Sequence, residues 1–292
     1  MFDKVVRVIS RFLLAVGLLK KMIIVRIDGG ICSQMHFFLI GQYFKKNGYL
    51  VKYDLRWFNS QGMDLTGKFE RNFDLLKAFP SLDFCKAKLW EIFFYSRLSF
   101  PSSMYKTAQP PAYMDGYYGN SREMYMDEFP RLFSIDLTVL DEINKRVYNE
   151  IKQFDNSVAI HVRRGDLATY NGAYGKPVDL AYFKKVIQKI QLEYGKLQCY
   201  IFSDEPEWVK RNLQENLPRG NTYTVVDFNG SDKGYMDMFL ISACKFQITS
   251  KGSLGKFGGF LNKKKEGKIY IFNDSIEQKN WSNIHDKIEF ID

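Results

Sequence analysis

Short apolar runs alternate with amphipathic stretches along most of the chain, and their spacing predicts repeated strand and helix units. Residues 1–21 set Val5, Ile9, Phe12, Leu13 and Val16 among Lys4, Arg7, Arg11, Lys20 and Lys21, the pattern of a basic amphipathic helix. Its apolar run, Phe12 to Leu19, falls short of the ~20 residues that span a bilayer, and no small-residue cleavage site follows. Two readings stay open: a helix that lies on a membrane surface, or a dispensable extension ahead of a domain that opens at Met22. Met22 to Ile27 reads as a buried strand, Asp28-Gly29-Gly30 as a turn, and Ser33 to Lys46 as a helix stopped by Asn47-Gly48; Tyr49 to Asp54 is a second strand. The pattern then weakens into aromatic-rich helical pieces around Phe69 to Phe79 and Leu89 to Leu98, with Pro101, Pro110 and Pro111 bounding a loop. Leu137 to Phe154 is an amphipathic helix, closed by a turn at Asp155-Asn156.

In the back half the alternation is sharper. Val158, Ile160 and Val162 are apolar at every second position of V-A-I-H-V-R-R-G-D, a core strand from whose other face His161 and Arg163 project. Asp179 caps a helix running to Tyr194, Cys199 to Phe202 is the next strand, and Asp204 with Glu207 spells a D-x-x-E capping box for a helix through Leu213. Strands at Tyr223 to Val226 and Phe246 to Thr249 flank an apolar helix, Tyr235 to Cys244, and a helix opens near Leu254. The expected fold is α/β, two Rossmann-like domains facing a cleft that holds the substrate. Its parts are an extension (1–21), an acceptor-side domain (22–155) and a C-terminal domain (156–292).

Length and composition support this. A chain of 292 residues, 46 % hydrophobic and 26 % charged, is long enough for two domains and is not the composition of a disordered protein. Forty-two Lys and Arg against 33 Asp and Glu give +9, which favours an anionic partner: a nucleotide diphosphate, an acidic membrane surface or nucleic acid. The basic residues are spread along the chain, whereas a nucleic-acid face would cluster them with aromatics. Cys32, Cys85, Cys199 and Cys244 lack C-x-x-C spacing and are expected as buried free thiols in a reducing compartment, the cytoplasm, with no zinc site.

Candidate chemistry gathers at the ends of strands. Arg163 and Arg164 offer two guanidinium forks at a strand's C-terminal end, suited to a diphosphate; the plainer alternative is a surface ion pair between Arg164 and Asp166. Gly29 and Gly30 allow a backbone to approach a sugar or phosphate, although on their own a plain tight turn explains them better. Ser33 can cap the following helix. Ser203 and Asp204 end one strand, where capping alone explains Asp204. Ser250, Lys251, Gly252 and Ser253 end another and suit a phosphate through amides, hydroxyls and an ammonium, but they do not spell a P-loop. No D-x-D occurs, so no metal is expected.

The segment H-V-R-R-G-D resembles the H-x-R-R-x-D motif of the fucosyltransferase superfamily that includes the α-1,2-fucosyltransferases, glycosyltransferase family 11. Asp115-Gly116-Tyr117-Tyr118 is similar to its D-G-Y-F, and Phe202-Ser203-Asp204-Glu205-Pro206-Glu207-Trp208-Val209 to its F-S-D-D-P-E-W-V. Gly29-Gly30-Ile31-Cys32-Ser33-Gln34-Met35 is similar to G-G-L-G-N-Q-M, with Ser33 replacing the asparagine. At the last site Lys251-Gly252-Ser253-Leu254-Gly255-Lys256-Phe257 keeps the hydroxyl at Ser253 but replaces both family tryptophans. The resemblance implies a GT-B arrangement and an inverting transfer of fucose from GDP-fucose to a galactose hydroxyl of a glycan. It implies donor contacts at Gly29, Gly30, Gln34, Ser203, Asp204 and Ser250 to Ser253. Arg163 and Arg164 are then expected to neutralise the departing diphosphate and His161 to orient their loop. Asp166, Asp28 and Asp115 are candidates for the base. Tyr113, Tyr117 and Tyr118 are candidates for stacking on the acceptor sugar. A related fucosyltransferase of another linkage, a nucleic-acid-binding protein and an inactive sugar-binding module are the alternatives.

Overall fold

Seven parallel strand pairings build two separate sheets in a computed structural model, which describes residues 2–64, 67, 69–99, 105–116, 118–169 and 175–292. Strands buried on both faces read as continuous apolar runs, and Met22–Arg26 and Ser157–Val162 are of that kind. The α/β class with parallel sheets is as expected.

Unit 1 comprises Met1–Met63, Arg71–Leu76 and Pro80–Gly119. Its elements are α1 (Phe2–Ala15), β1 (Met22–Arg26), α2 (Ile31–Lys46), β2 (Leu50–Asp54), α3 (Leu89–Tyr95) and β3 (Ala112–Met114), with sheet order β2-β1-β3. The aromatic-rich stretch before α3 yields only a four-residue helix, Leu75–Ala78, in place of the Phe69 to Phe79 helix. Helix α2 starts two residues early: Gly30 is its N-cap, no side chain caps it, and Ser33 lies inside the first turn.

Unit 2 comprises Asp64–Glu70, Lys77–Phe79 and Asn120–Asp292. It holds α4 (Glu142–Lys152), β4 (Ser157–Val162), α5 (Leu180–Tyr194), β5 (Gln198–Ser203), β6 (Thr222–Val226), α6 (Gly234–Ala243), β7 (Phe246–Thr249), α7 (Leu254–Leu261), β8 (Ile269–Phe272), α8 (Ser275–Trp281) and β9 (Ile288–Ile291). The sheet order β6-β5-β4-β7-β8-β9 is the Rossmann order 3-2-1-4-5-6 when the strands are counted within the unit. Val158, Ile160 and Val162 pack with Phe183, Val186 and Ile187 of α5, while Ala159 turns to Leu240 and Ile241 of α6.

The division falls at Gly119/Asn120, earlier than the boundary near 155. Helix α4 is the reason. Its Ile151 shares a core with Ala159, Tyr200 and Leu240, and its Asn144 amide donates to Asn229 Oδ1 at 2.9 Å. The amphipathic pattern that begins at Leu137 is broken by a short turn, Leu137–Val139, and Asp141 caps α4 proper through the Asn144 amide. Three cysteines are buried as expected, but Cys85 is exposed.

The first helix is part of unit 1. Val6, Ser10 and Leu19 are buried, the Ser10 hydroxyl donates to Val6 O and reaches Phe94 O at 3.3 Å, and Leu13 and Leu14 pack on Met22, Ile92 and Tyr95. The reading of 1–21 as a dispensable extension is therefore replaced. Removing it uncovers several large apolar side chains, each worth about 1.5–3 kcal/mol when fully buried. A chain begun at Met22 should lose roughly 3–5 kcal/mol of stability, read as a lower denaturant midpoint. An unchanged midpoint would show that the packing of α1 contributes nothing.

Candidate active site

In unit 2 the strand order reverses between β4 and β7, and the crevice outside their C-terminal ends is where sheets of this kind bind ligands. The residues that leave these two strands and the neighbouring β5 are Arg163, Ser250 and Asp204. Three cross-strand hydrogen bonds hold them in one group. Ser250 N donates to His161 O at 3.0 Å, Arg163 N donates to Ser250 Oγ at 2.9 Å, and Ser203 Oγ donates to Val162 O at 2.8 Å.

The two arginines are held differently. Arg163 donates Nε to Asp166 Oδ1 at 2.9 Å and Nη2 to Asp166 Oδ2, a two-point pair along one edge of the guanidinium. Burial pushes the Asp166 carboxyl up, but the Arg163 hydrogen bonds and charge outweigh it and hold the carboxyl below its usual range. The expected alternative of an Arg164–Asp166 pair is thus corrected: the partner of Asp166, in the first turn of helix Gly165–Thr169, is Arg163, three residues back and ahead of that helix. Arg164 lies with its guanidinium carbon 3.7 Å from the centre of the Trp208 ring and donates Nε to Glu205 Oε2 at 3.0 Å. Both Arg164 Nη nitrogens remain without a partner among the described residues. Stacking fixes the plane of the fork, and Glu205 fixes its rotation.

Asp204 does not cap a helix. The short helix Pro206–Trp208 has Glu205 at its N-cap and no side-chain cap. Asp204 instead accepts the backbone amides of Arg164 (2.9 Å) and Gly165 (3.1 Å), so a carboxylate at the end of β5 holds the arginine loop at the end of β4. Burial raises the Asp204 carboxyl above its usual range, with the two amides acting against that shift.

On the β7 side Gly252 has φ +85°, and a Cβ there would stand 2.8 Å from Arg163 Nη1 and 2.9 Å from Arg163 Cδ. Lys251 was expected to offer its ammonium to a phosphate. It is buried, with Nζ 2.7 Å from Asp274 Oδ2, so its charge is already matched. Lys256, 0 % exposed, stands 2.8 Å from Glu277 Oε2 and donates to the Gly252 carbonyl. Ser253 is the N-cap of α7. His161 is buried, with Nδ1 unpartnered among the described residues, and its Cβ lies 2.9 Å from where a Cβ on Gly255 would be. Burial, then the Lys256 and Arg163 charges, push its pKa down to about 3, so the ring is neutral and packed rather than placed to carry protons.

The candidate residues of unit 1 form a separate group. Gly29 has φ +71°. The Gln34 amide donates to Gly29 O (3.0 Å) and Asn72 O (2.8 Å) and accepts from the Asp74 and Leu75 amides. All four of its hydrogen-bonding positions are used inside the fold, so the ligand contact expected of Gln34 gives way to a staple on the glycine turn. Asp28 pairs with Arg26, and burial raises its carboxyl despite that pair. Asp115 accepts from Ser99 Oγ at 2.9 Å. Tyr113 and Tyr118 are buried, and the Tyr113 hydroxyl donates to Asp54 at 2.6 Å, so neither presents a stacking face; Tyr117 lies outside the described residues.

Sequence reasoning missed Asp274 and Glu277, whose partners come from other elements, and saw Glu205 only as a letter of a motif. Trp208 was visible only as one letter of F-S-D-E-P-E-W-V.

The family profile of glycosyl transferase family 11 matches residues 83–290. The chain belongs to that family. It is 28 % identical over 144 residues to the O-antigen biosynthesis glycosyltransferase WbnK of Escherichia coli, a match covering 48 % of this chain and 46 % of that protein. It is 24 % identical over 189 residues to an alpha-1,2-colitosyltransferase of Escherichia coli, covering 64 % and 61 %. The chain thus spans about half to three-fifths of the length of these curated relatives. Among solved structures, E. coli ADP-heptose LPS heptosyltransferase II aligns with a TM-score of 0.49 and 11 % identity, over 92 % of this chain and 90 % of that one.

Within this family 11 chain Gly252 is the position where backbone and side chain compete for one space. Gly252→Ala meets both the left-handed φ and the Arg163 contact, so it should cost at least about 1–2 kcal/mol in stability. Alanine at Gly234, where φ is -57° and an added Cβ meets nothing within 4 Å, provides the control. Equal midpoints for the Gly252 variant and wild type would refute the tight approach.

Proposed function

We propose that this chain transfers L-fucose from GDP-fucose to a galactose hydroxyl of a glycan, with inversion at the anomeric carbon, as a galactoside 2-α-L-fucosyltransferase. The observation that carries the reading is Arg164, clamped between Trp208 and Glu205 at the switch point of a Rossmann sheet with both Nη nitrogens unclaimed among the described residues. In the reaction the acceptor oxygen bonds to the anomeric carbon as the bond from that carbon to the β-phosphate oxygen breaks. The hydroxyl proton is lost to a base, and GDP leaves with the electron pair. Negative charge grows on the diphosphate, and a fixed guanidinium fork meets it without reorganising. Amides at the β7 turn, with the Ser253 hydroxyl, are proposed to share the phosphate oxygens. Asp166 is a poor base here, because Arg163 engages both of its oxygens and keeps its pKa low.

A second donor is favoured by one observation, the 24 % identity to an alpha-1,2-colitosyltransferase over 189 residues. Parallel assays with fucosyl and colitosyl donors on galactose-terminated acceptors distinguish the two. In the fucosyl assay Arg164→Lys keeps the charge but loses the fork and much of the stacking on Trp208. Transfer should fall about 10²-fold. Activity within about twofold of wild type would refute the diphosphate role of Arg164.

The arginines also lead us to propose that transfer needs no divalent metal. Product formation should continue in excess EDTA. Loss of activity that added Mg²⁺ or Mn²⁺ restores would overturn this.

A further inference from the structure

Helix α1 has three faces where an ordinary surface helix has two. Val6, Ser10, Leu13 and Leu14 face the core of unit 1. Val5, Val8, Ile9, Phe12 and Val16, at i, i+3, i+4, i+7 and i+11, form a second apolar stripe that faces outward, with Phe12 62 % exposed. Lys4, Arg7 and Arg11 form an exposed basic row at i, i+3 and i+7, and Lys20 and Lys21 follow. No acidic residue occurs between Lys4 and Lys21. Helix α3, against which α1 packs, adds Leu89 (74 % exposed) and Trp90 (50 %). Leu89 also lines a hollow of about 400 Å³ whose wall carries Lys86 and Lys88 beside the Arg56–Asp54 ion pair. Singly exposed apolar residues are ordinary; a helix-length stripe bordered by three cations, in a helix whose one acid is Asp3, is not.

We propose that this face of unit 1 seats the protein on an anionic phospholipid surface. Phe12, Val16, Leu89 and Trp90 enter the boundary between headgroups and acyl chains, and the basic row meets the phosphates. The partner is chosen by charge: a row of uncompensated cations beside an apolar stripe disfavours a second copy of the same face, because two such rows would repel. An acidic bilayer satisfies both features at once. The proposal stands apart from the donor and acceptor assignments.

The test is co-sedimentation of the full chain with phosphatidylcholine vesicles, with and without phosphatidylglycerol, at low and high salt. The chain should bind the acidic vesicles, and salt should weaken binding. The double variant Phe12→Glu/Trp90→Glu should lower partitioning about tenfold or more, with an unchanged unfolding midpoint because both side chains are exposed. Lys4→Gln/Arg7→Gln/Arg11→Gln should remove most of the salt dependence. Absence of binding to acidic vesicles, or equal binding by the Phe12/Trp90 variant, would overturn the proposal. A dimer that the same variant dissolves, with no vesicle binding, would assign the face to self-association instead.

Discussion

Two guanidiniums on adjacent residues repel each other, and the fold resolves this by giving each its own carboxylate from a different direction. Asp166 lies on the turn that follows Arg163, and Glu205 comes from the end of the neighbouring strand to Arg164. Asp204 then holds the peptide groups between them through two amides. Three acidic side chains therefore surround two cations, and the group has no net positive charge with which to attract an anion. Directional donors in fixed positions remain: the Arg164 fork flattened on Trp208 and the amides of the β7 turn. In the proposed transfer such a site would discriminate by geometry rather than by net field, in line with the general finding that preorganised dipoles supply most electrostatic catalysis. It also explains why the chain's +9 charge says little about this crevice.

The same economy governs the β7 side. Lys251 looks like a phosphate ligand in the sequence, yet it and Lys256 each face a carboxylate from α8 or its cap, Asp274 and Glu277. A buried pair of this kind adds little net stability, because desolvating both charges costs about as much as their attraction returns. Its effect is specificity of conformation. Lys256 donates to the Gly252 carbonyl, and Gly252 in turn leaves room for Arg163, so a charge two shells away sets where the arginine can stand. Lys256 also lies over the Trp281 ring at 5.5 Å, so the ion pair and the aromatic cluster around Phe257 hold the turn together.

Much of unit 2 was legible because its strands are buried on both faces and its helices carry ordinary caps. Phe246–Thr249 has the expected bounds, and α5 is capped by Asp179 as its spacing implies. Legibility failed where tertiary contacts outvoted local pattern. Asp204 with Glu207 spells a capping box, but an acceptor beside two unsatisfied amides of another strand's loop is worth more there than a cap on a three-residue helix. The arginine pair was visible as chemistry, whereas its pairing was not: Asp166 was attributed to Arg164 by proximity in sequence, and Glu205 had no local signal. Gln34 was legible only by resemblance, and nothing near it indicates that three of its four partners lie about forty residues on.

The first helix shows a further limit. An apolar stripe at helical spacing predicts one buried face, and a sequence alone cannot say which residues of a broad stripe are covered. Here Leu13 and Leu14 turn inward while Phe12 and Val16 turn outward, a partition set by where α3 lies rather than by hydrophobicity. Ser10 marks the boundary. It is the one polar residue within the apolar stretch of α1 that is fully buried, and it tolerates burial because its hydroxyl reaches Val6 O one turn back and Phe94 O on the neighbouring segment. A small hydroxyl lets the two helices approach closely at that point, with the Ser10 side chain 3.3 Å from Phe94 O.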